Sequence, residues 1–421
     1  MERLFKGEAY RLTGYGTIFG SMNFKTTPYN CSRLKNNYPI NNKFVNPFNK
    51  KLNNMTPTQF KRLPYGTSDF RRIRTEDYVY VDKTRFIEIL ELEGNPSQFF
   101  IRPRKFGKSL FFSMLSYYYD INCADQFDQL FGDLYIGQHP TPQRNSYAIL
   151  SFDFSGIDTT NEEKFVTSFS DKVQDAVLFF FHRYKKLFND VEVFIQQTNT
   201  ENLGIRALNK AFSVAELNGI KIFVIIDEYD HFANDLIAMG KVRGKDFYKT
   251  MIAANGLVRD YYESLKIATK SSVVNRTFIT GISPVMLDDL TSGYNIGENL
   301  TIDPVYNEMM GFTHEEVLEL MKNTGVDANL ISIDMESYYN GYLFHKDGQN
   351  KVYNPSMILY FFKQILKAGK QPEKIIDPNL TTDYGRLQRL TQNDHNRDIL
   401  IQIVKDNGIV SEILEKFSID R

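Results

Sequence analysis

The apolar positions fall into short blocks whose period switches between two and about 3.6, with turn residues between them. Phe99-Phe100-Ile101 reads as a short buried strand, and Lys108 to Tyr119 follows as a helix with few breakers. Tyr147 to Phe154 is a second strand. Thr160 with Glu163 forms a capping-box signature opening a helix that carries Phe165, Phe169 and Val173 on one face. A helix through Ala207 to Leu217 stops at Asn218-Gly219, and the apolar run Ile222 to Ile226 begins directly after it. A helical stretch from about 241 to 268 then leads to a fourth strand, Thr277 to Ile282. Strands alternating with helices in this order predict an α/β fold, a parallel β-sheet with helices on both faces. Beyond about 300 the pattern shortens. Thr313 and Glu316 make a second capping box, with Phe312 and Val317 at staple positions, so a small helical domain is expected there. Leu390 to Arg421 is helical in pattern but too short to stand as a domain. No internal repeat is evident.

Composition changes this picture little. A chain of 421 residues with 42% hydrophobic and 24% charged positions has ample length for a core, and disordered, fibrous and collagen-like classes are set aside. The longest apolar runs fall far short of the roughly 20 residues of a membrane helix, so no membrane partner is expected. Two cysteines, Cys31 and Cys123, supply neither a disulfide framework nor a thiolate metal site, which fits a reducing, cytoplasmic setting. Charge is uneven: residues 1–74 hold 14 Lys/Arg against Glu2, Glu8 and Asp69, leaving 36 basic against 48 acidic in the rest. The leader, residues 1–57, is basic and Asn-rich without apolar periodicity. It is expected to be disordered, and Met55 stands directly before the first segment of folded character.

The candidate chemistry begins between a predicted strand and a predicted helix, where Gly107-Lys108-Ser109 occupies the context of a phosphate-binding loop. Backbone N–H groups at the helix start would wrap the β-phosphate, Lys108 would bridge β- and γ-phosphate oxygens, and the Ser109 hydroxyl would ligate Mg²⁺. The full pattern opens on a glycine, and Arg102 stands there instead. About 120 residues later the strand Ile222 to Ile226 runs into Asp227-Glu228, which would supply a metal partner and a base that polarises the attacking water. The strand Thr277 to Ile282 would lie between phosphate loop and acid strand, making Thr280 and Ser283 candidate γ-phosphate sensors. Arg276 reads as a solvated flank.

With these residues in hand, RLPYGTSDFRRIRTEDYVYVDKT, FFIRPRKFGKSLFFSML, FVIIDEYDHF and TFITGISPV together resemble the AAA-ATPase-like family of predicted prokaryotic ATPases, over roughly Phe60 to Tyr360. In that family the loop commonly reads RPR-aromatic-GKS, so the resemblance accounts for Arg102. It implies a P-loop NTPase core of the additional-strand, catalytic-glutamate class, with Lys108 and Glu228 catalytic and Ser109 and Asp227 on the metal. Arg104, Phe106, Gly107, Leu110, Thr280 and Ser283 join them as nucleotide contacts. Expected bounds are 58–300 for the core, 301–375 for a helical, winged-helix-like lid or output domain, and 376–421 for a helical extension. The resemblance also puts Tyr80 to Thr84 (YVDKT) on the nucleotide side; Tyr78 or Tyr80 could stack on a base, although packing is the plainer role. Many relatives carry a PD-(D/E)XK nuclease-like domain. No carboxylate–carboxylate–lysine set is found near the end of this chain, and nuclease activity is not expected of it.

Other constellations add less. Asp230 and His231 read as a loop cap and a solvated imidazole. The six histidines show no metal-pair spacing, and no G-x-S-x-G elbow occurs. The leading expectation is therefore a Mg²⁺-dependent ATPase that couples hydrolysis to a conformational switch, with ATP, an unidentified protein partner and a homo-oligomer as its associations. The alternative is a nucleotide-binding interaction module without turnover, which a distorted loop at Arg102 would favour. DNA or RNA binding through the basic leader and helical domain is a third reading.

Overall fold

A computed structural model describes residues 60–189, 191–200, 204–238, 243–252, 256–286, 294–380, 391 and 394–406. The described residues 60–380 belong to one compact unit, and the helix Asp394–Asp406 belongs to another. The expected leader lies outside the described residues, as does much of the expected C-terminal extension.

The larger unit is built on five parallel strands: β1 (Ser97–Ile101), β2 (Ala148–Asp153), β3 (Ile222–Asp227), β4 (Val274–Gly281) and β5 (Glu298–Asn299). Their order is β2-β3-β4-β1-β5, so β4 separates β1 from the acid-bearing β3. Every residue of β1 and β3 is buried, as expected of strands covered on both faces. Alternation sends Ile222, Val224 and Ile226 to one face and Phe223 and Ile225 to the other. The first face packs under α2 (Glu162–Arg183), α3 (Gly204–Leu217) and α4 (Leu257–Lys270). The second packs against α1 (Lys108–Tyr119) through Phe111, Met114 and Leu115.

Two helix boundaries differ from expectation. The cap of α2 is Asn161, whose side chain accepts from Lys164 N at 2.9 Å, while Thr160 N donates to Asp158 Oδ1 in the turn before it. The stretch near 241–268 holds two helices, Arg243–Ile252 and α4, the latter entered from the extended Gly256.

Beyond the sheet, α5 (His314–Thr324) and α6 (Pro355–Ala368) enclose a third core with Leu320, Ile358, Phe361 and Phe362. α5 opens on the Thr313–Glu316 capping box read from the sequence. Between the helices runs an antiparallel ribbon, β6 (Asn340–Tyr342) with β7 (Val352–Tyr353). Val79, from the segment preceding β1, is buried in this same core, so the start and end of the unit are packed as one body. None of the described helices is long and apolar enough to cross a membrane.

Candidate functional site

The loop after β1 turns through left-handed backbone at Lys105 (φ 66°) and Gly107 (φ 95°) and delivers the N-terminus of α1 to the strand ends. A β-carbon at Gly107 would meet nothing within 4 Å, so the space above the loop is open. The helix's own ladder begins with Phe111 N donating to Gly107 O at 2.9 Å, and the N–H groups of Lys108, Ser109 and Leu110 precede it. They form an electropositive rim suited to anions.

Behind that rim the sheet brings three acids. Asp227 ends β3; its Oδ2 accepts from Ser109 Oγ at 2.8 Å, and its Oδ1 accepts from Glu228 N at 2.9 Å. Glu228 is held at φ 51°, and its Oε2 is buried without a hydrogen-bond partner among the described residues. A side chain with that backbone and an unanswered oxygen is costly for folding alone. Asp153, at the end of β2, is in register with Asp227 and accepts from Ser155 N. Lys108 is 5% exposed, and its Nζ donates to the carbonyls of Arg102 and Pro103 at 3.0 and 3.1 Å. Burial pushes the Asp227 and Glu228 carboxyls up and the Lys108 ammonium down. Their opposite charges offset part of each shift: Lys108 pulls Glu228 back, while Glu228 and Asp227 favour protonated Lys108.

These groups line a cavity of about 640 Å³ whose lining is partly polar and partly apolar. Lys108, Ser109, Asp227, Glu228 and His231 are among its polar residues. Ile73, Val79, Met310, Phe312, Leu320 and Leu359 are among its apolar ones, four of these six coming from beyond residue 300. Tyr80, Val81 and Lys83 lie on its wall, so the YVDKT segment borders the same space. The base-stacking candidates have other engagements: Tyr78 lies under Arg62 and accepts from it at 3.0 Å, and Tyr80 donates to Met114 Sδ beside Phe70.

Arg104, Phe106, Gly107, Lys108, Ser109, Leu110, Asp227 and Glu228 thus converge on one cavity, whereas Thr280 and Ser283 do not line it. Thr280 Oγ1 donates to Phe100 O at 2.7 Å, tying β4 to β1, and is fully buried. Ser283 donates both N and Oγ to Asp230, at 2.7 and 2.8 Å. Both hydroxyls face the fold, not the cavity. Asp230, read as a loop cap, caps the loop after β4 from a fully buried position: it is 0% exposed and also accepts from Ile282 N and Asn234 Nδ2. Arg276, read as a solvated flank, is likewise buried, with Nη2 donating to Leu90 O.

Arg102 points away from the loop's open side. Its guanidinium lies between the Phe100 and Phe344 rings, 4.0 and 3.8 Å from their centroids, and donates to the carbonyls of Ile101, Thr301 and Tyr306. Burial pushes it down to about 9. The side chain replacing the expected glycine therefore leaves the cradle clear and staples it to the segment after β5.

Two further residues tie the site to the helical region: Lys83, within the YVDKT segment but given no role by motif reading, and Asn354, which motif reading passed over. Lys83 donates to Glu316 at 2.6 and 2.7 Å and to Glu308 O, joining the cavity wall to α5. Asn354 caps α6 and donates to Arg104 O at 3.2 Å. The Asn-Pro pair at 354–355 was a readable helix start, but nothing in its spacing pointed to the loop.

A curated relative from Azotobacter chroococcum mcd 1, described as an uncharacterized protein in the vnfD 5' region, is 26% identical over 314 residues. The match takes in 72% of this chain and 52% of the relative, so the chain spans about half of that relative's length. Among solved structures, a Walker-type ATPase of Pyrococcus abyssi aligns over 79% of this chain and 77% of its own, at 15% identity and a TM-score of 0.36. The family model of predicted AAA-ATPases matches residues 64–291, a span that holds the phosphate loop, the acid pair and the strand between them, and the chain belongs to that family.

Proposed function

We propose that the chain binds ATP in this cavity and hydrolyses it. Triphosphate would lie along the Lys108–Leu110 rim, and the base would sit against apolar lining such as Val79 and Phe312, where burial of a flat heterocycle is favourable. Ser109 Oγ and Asp227 Oδ2 are hard oxygen donors 2.8 Å apart. Such a pair suits Mg²⁺, which takes one or two protein oxygens and completes its shell with phosphate and water. When bound there, it would offset charge on the β- and γ-phosphate oxygens.

The observation that carries hydrolysis, as opposed to binding, is Glu228: a partnerless carboxylate oxygen, in left-handed backbone, on the wall shared with Lys108. Glu228 accepts a proton from water as the water oxygen bonds to the γ-phosphorus. The bond from that phosphorus to the β,γ-bridging oxygen breaks, its electron pair stays on ADP, and phosphate leaves. Lys108 leaves its two loop carbonyls to meet the β,γ-oxygens. The helical region, with its two-stranded ribbon, we read as a winged-helix-like lid or output module, because it forms one wall of the cavity and its Asn354 holds the loop.

The test is Mg²⁺-dependent phosphate release by the wild type, Lys108→Ala and Glu228→Gln, with nucleotide binding measured on each. Glu228→Gln should retain ATP binding and lose turnover by a factor of about 10² to 10⁴. Turnover at the wild-type rate would remove Glu228 as base. Wild-type binding with no release would favour the module without turnover.

A further inference from the structure

The phosphate loop carries cations at 102, 104, 105 and 108, and the fold uses only some of them. Arg102 and Lys108 are buried and donate to loop or neighbouring carbonyls. Arg104 differs. It is exposed, lines the cavity with Lys108 and Glu228, and its side chain makes no hydrogen bond or ion pair among the described residues. Its main chain, by contrast, is pinned: the carbonyl accepts from Asn354 Nδ2 at 3.2 Å, and the next residue is fixed in left-handed backbone. Arg104 also lies close enough to Lys108 for its charge to oppose protonation there. Lys105 is exposed on the same rim and lines the same cavity. A cation that serves no fold contact, on an anchored stem, in repulsion with a second cation, is arranged for an anion between the two.

We propose that Arg104 is the cation that meets the γ-phosphate within the same chain. This rests on the ATP-binding reading above and deepens it. Charge in phosphoryl transfer spreads over the equatorial γ-oxygens, and a guanidinium can donate to two of them at once where an ammonium gives a point charge. Enzymes of this chemistry commonly receive that cation from a second protein; here the loop itself carries it. Two consequences distinguish the assignment. Arg104 matters for triphosphate and transition state but little for diphosphate, and each chain is complete without a neighbour's arginine.

The experiment uses the full chain and its Arg104→Ala and Arg104→Lys variants, with Lys108→Ala as the loss-of-binding reference. Affinity is measured for a fluorescent ADP and for a non-hydrolysable ATP analogue, together with trapping of ADP by aluminium fluoride and steady-state phosphate release. Arg104→Ala is expected to hold ADP within about threefold of wild type and to lose about tenfold in preference for the triphosphate analogue. It should fail to form the aluminium fluoride complex and turn over about 10³-fold more slowly, with partial recovery in Arg104→Lys. An equimolar mixture of Arg104→Ala and Lys108→Ala chains should remain inactive. Activity restored by mixing would place the arginine in trans and overturn the proposal. So would wild-type turnover and triphosphate preference in Arg104→Ala, while leaving the ATPase reading intact. If wild type bound nucleotide without turnover, the triphosphate preference would still decide Arg104; if it bound none, both readings would fall.

Discussion

Asp227 and Asp230 stand three residues apart and are set to different tasks by what surrounds them. Asp227 shares one oxygen with Ser109 and faces the cavity, whereas Asp230 spends both oxygens on Ile282 N, Ser283 N, Ser283 Oγ and Asn234 Nδ2. It locks the end of β4 to the turn that holds Glu228. A β-carbon on Gly281 would come within 2.2 Å of Asp230 Oδ1, which leaves no room to adjust. Asp230→Asn turns one accepting oxygen into a donor against N–H groups, and should destabilise the protein by about 2 kcal/mol in urea titration. An unchanged midpoint would mean the bracket is dispensable. The convergence of Lys108, Ser109, Asp227 and Glu228 was legible because each sits at the end of a strongly apolar strand or the start of the following helix. Thr280 and Ser283 were placed at the right strand but on the wrong side of the question: the sequence cannot show that Phe100 O and Asp230 take their hydroxyls.

At the scale of elements, the four longer strands were legible through their apolar stretches, such as Phe99-Phe100-Ile101 and Ile222 to Ile226, although buried polar residues such as Gln98, Arg276 and Thr277 interrupt β1 and β4. β5, of two residues, carries no such signal, and its position beside β1 depends on contacts such as Leu300 N with Phe99 O. The helical break at Gly256 and the shifted cap at Asn161 are local choices between competing turns, which periodicity cannot decide. The helix α6 shows how an element can reach the site through its cap. Asn354 Oδ1 accepts from Ser356 N at 3.0 Å while Nδ2 donates to Arg104 O, so helix start and phosphate loop share one side chain. Asn354→Ser keeps a good cap and deletes the donor to the loop. It should leave stability within about 0.5 kcal/mol but weaken ATP binding severalfold, whereas Asn354→Ala should also lose about 1 kcal/mol. Equal ATP affinity in wild type and Asn354→Ser would show that the loop does not depend on this tether.

For the whole unit, the family match ends at residue 291, yet the cavity is closed by Met310, Phe312 and Leu359. Among the ties that bind that wall to the matched core are Arg102 to Thr301 and Tyr306, Asn354 to Arg104, and Lys83 to Glu316. The last is the most demanding, because Lys83 is 8% exposed and burial alone pulls its ammonium down, while Glu316 pulls it back up. Glu316 meanwhile accepts from Thr313 N, so the ion pair and the start of α5 are one network. Breaking a buried pair from one side leaves its partner uncompensated and costs more than removing both. Lys83→Met should therefore destabilise the protein by about 3 kcal/mol, and Lys83→Met/Glu316→Gln by less than the sum of the two single changes. The measurement is a double-mutant cycle on urea midpoints at constant slope. Additive losses would mean that Lys83 and Glu316 act separately, and that the wall is held to the core by its other ties, Arg102, Asn354 and the shared apolar core around Val79 among them.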